Sequence, residues 1–256
     1  MLDTAVIPCG GRGTRLHPIS RWLPKEILPV GLRPVLYWAL DEAADAGLLR
    51  AIIITNPHKP VLEAAARNYE GPLELEFVPQ DHPRGLGDAL LRARDPLAGS
   101  PFLALLPDNL FEGPNPAAAV LATCRATGLA TVLLAEIAPE DAGARGATGR
   151  ARVRTEPDGS LRVTEVADKG TGRFDTAGES AALTPVGRMA FPGGILEEFE
   201  EVGRGLTHGA ELDDVPVLQR LARRGALAGV ISRAEFYDVG VPEGYHDAVT
   251  AFPPRV

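Results

Sequence analysis

Short apolar runs separated by amphipathic stretches fill the first half of the chain. Thr4–Pro8 is apolar, brief and followed at once by glycines, which is the pattern of a buried strand. Ala51–Thr55 is strongly β-branched, Leu73–Val78 alternates, and Phe102–Leu106 and Ala130–Ile137 are further apolar runs. Between these strands, Pro34–Ala46 has apolar residues at helical spacing, with Gly47 as its stop. Pro60–Asn68, Gly87–Arg94 and Ala117–Thr127 also read as helices. Strand–helix alternation predicts an α/β fold: a mixed, mainly parallel sheet with helices on both faces.

The pattern changes after Pro139. Residues 140–148 are small, polar and glycine-rich, and read as a loop. Arg150–Thr155 and Ser160–Val166 flank Pro157-Asp158-Gly159, a hairpin signal. Thr171–Ser180 is polar and expected to be mobile. Pro185–Phe191 reads as a strand, Ile195–Val202 and Val215–Arg224 as helices, and Leu227–Ser232 as a strand. Tyr237-Asp238-Val239-Gly240 leads into a last helix near Glu243–Ala251. No internal repeat or linker interrupts the chain. One domain over residues 1–256 is expected, with halves at 1–138 and 139–256 and a β-rich insertion in the second.

The composition, 45% hydrophobic and 23% charged, suits a globular chain that buries a large core without disulfides. Cys9 and Cys124 lie far apart in sequence, so a reducing compartment is the simpler reading. No apolar run reaches the roughly 18 residues of a membrane span, and the start lacks a signal peptide's basic region. A cytoplasmic location without membrane association is therefore expected. The net charge of −8 argues against nucleic-acid binding, which needs a basic excess. Of 26 basic residues, only Lys25, Lys59 and Lys169 are lysines. In a chain so biased towards arginine, a surviving lysine marks a place where a compact point charge serves better than a planar fork.

The glycine cluster after Pro8, the Gln80 region after Val78 and Asp108 after Leu106 all follow predicted strand ends, where ligands of such sheets bind. Cys9–Leu16 contains Gly10, Gly11 and Gly13, whose exposed amides can cradle phosphate. No Gly-Lys-Ser/Thr follows, so it is not a Walker loop, and the third glycine of a dinucleotide fingerprint is missing. On glycines alone, a tight turn is as good a reading. Lys25, in Pro24–Val30, can place a full charge on a polyphosphate, although a lysine between prolines is more often a surface group. Asp108 and Asp238 sit in turn-forming contexts where an aspartate is usually a cap. The five histidines show no metal-ligand spacing.

The combination is more specific than its parts. Gly-Gly-x-Gly-Thr-Arg-Leu-x-Pro followed by Pro-Lys-Glu-x-Leu-Pro-Val resembles the N-terminal signature of nucleotide-sugar pyrophosphorylases, the sugar nucleotidyltransferases. The Pro-Lys-Glu form is most similar to the bacterial UTP–glucose-1-phosphate uridylyltransferase branch. Val78-Pro79-Gln80 with Gly85–Ala89, Leu106–Asn109, Ala167-Asp168-Lys169, Val186-Gly187-Arg188 and Tyr237–Gly240 continue the likeness in order. The resemblance implies a Rossmann-like fold whose insertion binds sugar. It implies transfer of a nucleotidyl group from UTP to glucose 1-phosphate, with dTTP as the nearest rival. Arg15 and Lys25 are the expected catalytic cations. Gly10, Gly11, Gly13 and Thr14 would bind the triphosphate, and Gln80 and Gly85 the base. Gly149, Asp168 and Val186 would read sugar hydroxyls and Lys169 the sugar phosphate. Asp108 and Asp238 would hold Mg²⁺, which prefers oxygen ligands.

Three departures stand out. Asp168 replaces a usual glutamate, Gly170 a usual proline, and the segment before Pro24 lacks the common Thr-Lys. Homo-oligomer contacts made by C-terminal helices in some relatives have less chain to form them here. A catalytically idle nucleotide-sugar-binding protein is the rival of a different class, but such decay usually removes a metal or phosphate ligand. An NAD-type oxidoreductase fits poorly, because Asp41 and Glu42 fall inside a predicted helix.

Overall fold

The computed structural model describes residues 1–142, 149–169, 174–207 and 209–253. The chain opens with β1 (Thr4–Pro8) and a loop of short turns at Thr14–Leu16, Ile19–Arg21 and Lys25–Ile27. The small strands β2 (Pro29–Val30) and β3 (Arg33–Pro34) follow, then α1 (Val35–Asp45). Next come β4 (Arg50–Thr55), α2 (Pro60–Arg67) and β5 (Glu74–Pro79). After them lie α3 (Leu86–Arg92), α4 (Arg94–Leu97), β6 (Phe102–Leu105), β7 (Asn109–Glu112), α5 (Pro116–Thr127) and β8 (Ala130–Ile137). The second half contains β9 (Ala151–Thr155), β10 (Leu161–Val166) and β11 (Ala182–Phe191). It ends with α6 (Leu196–Arg204), α7 (Val215–Arg223), β12 (Leu227–Ile231), β13 (Glu235–Asp238) and α8 (Pro242–Ala251).

Nine strands form the central sheet in the order β5-β4-β1-β6-β11-β8-β12-β10-β9. All run one way except β11 and β10, so the sheet is mixed and mainly parallel as expected. The strand period of two assigns alternate residues to opposite faces. Ala5, Ile7, Ala51 and Ile53 pack with α1, α2 and α5 on one face. Val6, Ile52 and Ile54 pack with α3, α6 and α7 on the other. A smaller cluster of Leu16, Leu28, Val30, Leu110, Val239 and Ala248 fastens α8 beneath the N-terminal loop.

Helix ends follow local chemistry. α5 begins at Pro116 because Asn115 accepts from the Ala118 amide at 2.9 Å and proline tolerates the first turn. The helix expected over residues 87–94 divides into α3 and α4 at Ala93.

Other differences are tertiary. β11 begins at Ala182, three residues before the apolar run, and joins the sheet antiparallel between β6 and β8. Its register slips between Val186 and Met189, which leaves Gly187 and Arg188 as a bulge. β7 and β13, neither foreseen as a strand, pair as a separate two-stranded ribbon. Residues 174–180 fall in a segment expected to be mobile, yet Phe174 and Thr176 are buried. The expected loop at 140–148, the segment 171–180 and Gly170 lie wholly or partly outside the described residues.

Candidate active site

The glycine loop leaves β1 at the carboxyl edge of the sheet. Cys9 donates its amide to Ile54 O at 2.8 Å, which keeps the loop's start in register with β4. Gly13 has φ 63°, a left-handed conformation that favours glycine, and its carbonyl accepts from Ser20 Oγ at 2.7 Å. From the next strand's end, Asn56 Nδ2 donates to Gly10 O at 3.1 Å. Lys59 Nζ donates to Cys9 O at 2.9 Å and to both oxygens of Glu26, at 3.1 and 3.3 Å. Glu26 is completely buried; burial pushes its pKa up, against the pull of Lys59 and Lys25. Lys59 and Glu26 therefore brace the glycine loop from behind. Neither was among the expected site residues, although the scarcity of lysine had marked Lys59.

Lys25 projects from the turn after Pro24 and pairs with Asp108 Oδ2. Burial works against its ammonium, but Asp108, Glu26 and Asp238 outweigh that and hold its pKa above the ordinary lysine value. Burial likewise opposes the Asp108 carboxylate, and Lys25 and Arg15 overcome it, so this pKa is lowered. The ribbon brings the second carboxylate here. Asp238 stands opposite Asn109 in the pairing, and Val239 donates its amide to Asp108 O at 2.8 Å. Arg15 Nη1 lies 3.7 Å from Asp238 Oδ2.

The two carboxylates face one point. A Cβ added to Gly240 would lie 2.8 Å from Asp108 Oδ2, 2.9 Å from Asp238 Oδ1 and 3.1 Å from Arg15 Nη2. Glycine here leaves open the space between the acidic groups. Asp108 and Asp238 supply the oxygen-only donor set that Mg²⁺ prefers, with room for ligands other than protein.

Two cavities meet at this point. One is walled by Gly10, Gly11, Gly13, Thr14, Lys25, Gln80 and Gly85, the other by Lys169, Val186, Gly187 and Asp238. Arg15 and Asp108 line both. All of the residues expected on the nucleotide side are thus gathered on one wall.

The sugar side is less uniform. Lys169 donates to both Asp213 oxygens at 2.9 and 2.7 Å and to Asp214 Oδ1 at 3.0 Å. Asp168 and Gly149 are absent from the cavity walls. Asp168 Oδ1 accepts from Gln219 Nε2 at 2.8 Å, and a Cβ at Gly149 would collide with Ala167 O. Gly149 is needed for close backbone packing, and its carbonyl accepts from Thr184 Oγ1 at 2.8 Å.

On the wall expected to take the base, Gln80 Nε2 donates one of its two N–H groups to Asp88 Oδ2 at 2.6 Å. Gly85, at φ 106°, presents its Cβ position to the Leu212 backbone rather than to open cleft. Leu212 O accepts from Gly87 N, and Leu212 N donates to Arg84 O, both at 2.8 Å. Arg188, matched only by its position in a motif, is a buried tie. It bonds both Glu42 oxygens at 2.7 and 2.6 Å and the carbonyls of Leu106 and Asn109 at 2.9 and 2.8 Å. Glu42, rejected above as a ribose partner, is the anchor of this tie, which sets the strand end bearing Asp108.

Known proteins point the same way. The pattern of the family described as nucleotidyl transferase matches residues 4–252. UTP–glucose-1-phosphate uridylyltransferase 2 of Staphylococcus saprophyticus is 27% identical over 270 residues, spanning 95% of this chain and 89% of its own. A solved UDP-glucose pyrophosphorylase complexed with UDP-glucose superposes with a TM-score of 0.84 at 24% identity, over 98% of each chain. A Bacillus anthracis structure provisionally named as a glucose-1-phosphate thymidylyltransferase gives 0.80 at 20% identity, over 99% of this chain and 96% of that one. The two superpositions establish the fold. Because the family match runs from β1 into α8, and so takes in the glycine loop and both facing carboxylates, this chain belongs to the nucleotidyl transferase family and is a nucleotidyltransferase.

Proposed function

We propose that the enzyme transfers a uridylyl group from UTP to glucose 1-phosphate, giving UDP-glucose and pyrophosphate. The observation that carries this reading is the shared boundary of the two cavities, where Arg15, Asp108 and Asp238 meet between a glycine loop and Lys169. Both reactants are anions, so bringing them together is electrostatically opposed. Catalysis then rests on positioning and on fixed positive charge rather than on a covalent nucleophile.

The loop amides and Lys25 hold the triphosphate, and Arg15 stands where charge collects on the departing pyrophosphate. Lys169 draws the sugar phosphate to the other side, sharing its ammonium with Asp213. The sugar-phosphate oxygen attacks the α-phosphorus, the bond to the bridging oxygen breaks, and pyrophosphate leaves with the electron pair. No proton has to move in that step. Asp108 and Asp238 would hold Mg²⁺, which when bound neutralises charge at the α-phosphate and orients it for in-line displacement. Gln80 reads the base. The choice of uracil and glucose is supported by the names of relatives at modest identity. Thymine differs by one methyl group, worth about 1–3 kcal/mol in a pocket.

The test is pyrophosphate release over a grid of UTP, dTTP, CTP, ATP and GTP against several hexose 1-phosphates, with Mg²⁺ and with chelator. UTP with glucose 1-phosphate should give the highest kcat/KM, and chelation should abolish turnover. A better rate with dTTP removes the uridylyl assignment, and release that needs no sugar phosphate removes the acceptor.

A further inference from the structure

We infer that Asp88 is a positioning residue that decides which base the site accepts, by fixing which end of the Gln80 amide is oxygen and which is nitrogen. This rests on the reading of Gln80 as the base-contacting group.

Gln80 is buried, with 1% of its surface exposed, at the end of β5. Its amide has two polar ends that differ only in hydrogen-bonding sense. Left alone, such an amide can rotate and present either end. Here it cannot. Asp88 Oδ2 lies 2.6 Å from one end, and a carboxylate only accepts, so that end is the NH₂ group. Asp88 is itself held. Arg84 Nη2 reaches its other oxygen, Oδ1, at 2.9 Å, and Arg92 Nη2 reaches the same oxygen at 3.4 Å. Flipping the amide would set a carbonyl oxygen against a carboxylate oxygen at hydrogen-bond distance and leave Asp88 Oδ2 without its donor.

The opposite end is therefore fixed as well. Gln80 Oε1 lies over Gly10, close enough that any Cβ there would collide with it, on the wall of the nucleotide cavity. Among the described residues no protein donor hydrogen-bonds this oxygen. It meets a base lying against the glycine loop as an acceptor. Its match is a ring N–H, which uracil and thymine carry at N3. The remaining N–H of Gln80 can serve an adjacent carbonyl. Cytosine presents a bare ring nitrogen at N3 and an amino group beside it, the reverse arrangement, and would set acceptor against acceptor. Among the pyrimidine nucleoside triphosphates, those with N3–H are thus selected and cytosine is refused.

The test compares kcat/KM for UTP, dTTP, CTP and 3-methyl-UTP at saturating sugar phosphate, in the wild-type protein and in Asp88→Asn. A site built to bond one group rejects analogues lacking it strongly, so wild type should favour UTP over both CTP and 3-methyl-UTP by about 100-fold or more. Asparagine can face Gln80 with either end, so Asp88→Asn should shrink the UTP/CTP ratio by about tenfold or more. A residue with only a structural role would lower both rates together and leave the ratio intact; that result overturns the inference. So does wild-type use of CTP within tenfold of UTP, which needs no variant to fold. Wild-type protein that releases pyrophosphate from none of these nucleotides instead overturns the uridylyl reading on which the inference stands.

Discussion

Lys25 and Lys169, which line the two adjoining cavities, sit in contrasting surroundings. Lys25, on the nucleotide side, has a side chain 17% exposed against an Asp108 carboxylate 7% exposed. Behind them Glu26 and Lys59 form a second buried pair, at 0% and 13%. Lys169, on the sugar side, is 34% exposed and leans on Asp213, which is 36% exposed. The first arrangement is held by buried charges that have no water to fall back on, so each partner fixes the next. The second is open on the Asp213 side, where solvent or an incoming phosphate can replace that carboxylate at little cost, and is anchored on the other by Asp214, whose side chain is 12% exposed. The Lys25 side is fixed by its own buried charges, and the Lys169 side keeps its cation in an acidic clasp.

The contrast is tested most severely by Lys59→Met. It leaves Glu26 buried without its partner, and should cost about 3–5 kcal/mol of stability, read as a fall in Tm or denaturation midpoint. The sign of its pH dependence follows. Burial raises the Glu26 pKa above its usual 4.5, so the folded protein binds the proton more tightly than the unfolded chain. Stability from this group is greatest at acid pH and falls as pH rises through that window. The deficit of Lys59→Met should therefore shrink towards acid pH; a deficit that grows there would place the effect elsewhere.

Asp108→Asn comes next. It should reduce kcat by about 10²–10³ with the fold retained, as expected for loss of a charge that organises the transition state. Turnover near normal would remove Asp108 from the centre. Gly240→Ala sharpens the geometry rather than the charge. Its methyl group would occupy the point faced by both carboxylates, and a displacement of about 1 Å can cost about 10²-fold in rate. Unchanged kcat would mean that the space beside Gly240 is not used.

Lys169→Ala should have the smallest effect. KM for the sugar phosphate should rise about tenfold, with a stability loss smaller than the ~3–5 kcal/mol of Lys59→Met, because Asp213 is open to solvent and only Asp214 is left buried. A large drop in Tm would erase the distinction between the two halves. An unchanged KM would take Lys169 out of sugar-phosphate binding.

Much of the nucleotide side was readable in one dimension. The glycine cluster after Pro8, Gln80 and Asp108 follow apolar strand-like runs, and parallel strands deliver such ends to one edge. The sugar side was harder. Asp168 shares a short segment with Lys169 after β10, and Gly149 stands just before β9, but sequence neighbours need not face one cavity; Asp168 turned to Gln219 instead. Asp88 fell inside the Gly85–Ala89 segment of the family likeness but was not singled out, because an acid four residues from an arginine on a helix reads as an ordinary surface pair.

The sequence by itself determined the alternation of strands and helices, the glycine loop and the rarity of lysine, because periodicity, backbone freedom and side-chain chemistry are local properties. Only the tertiary structure decided that β7 and β13 pair, that Asp108 and Asp238 face one point, and that Lys59 closes on Glu26. Those groups are distant along the chain. Their meeting depends on strand order and on buried charges finding partners, and no local pattern encodes either.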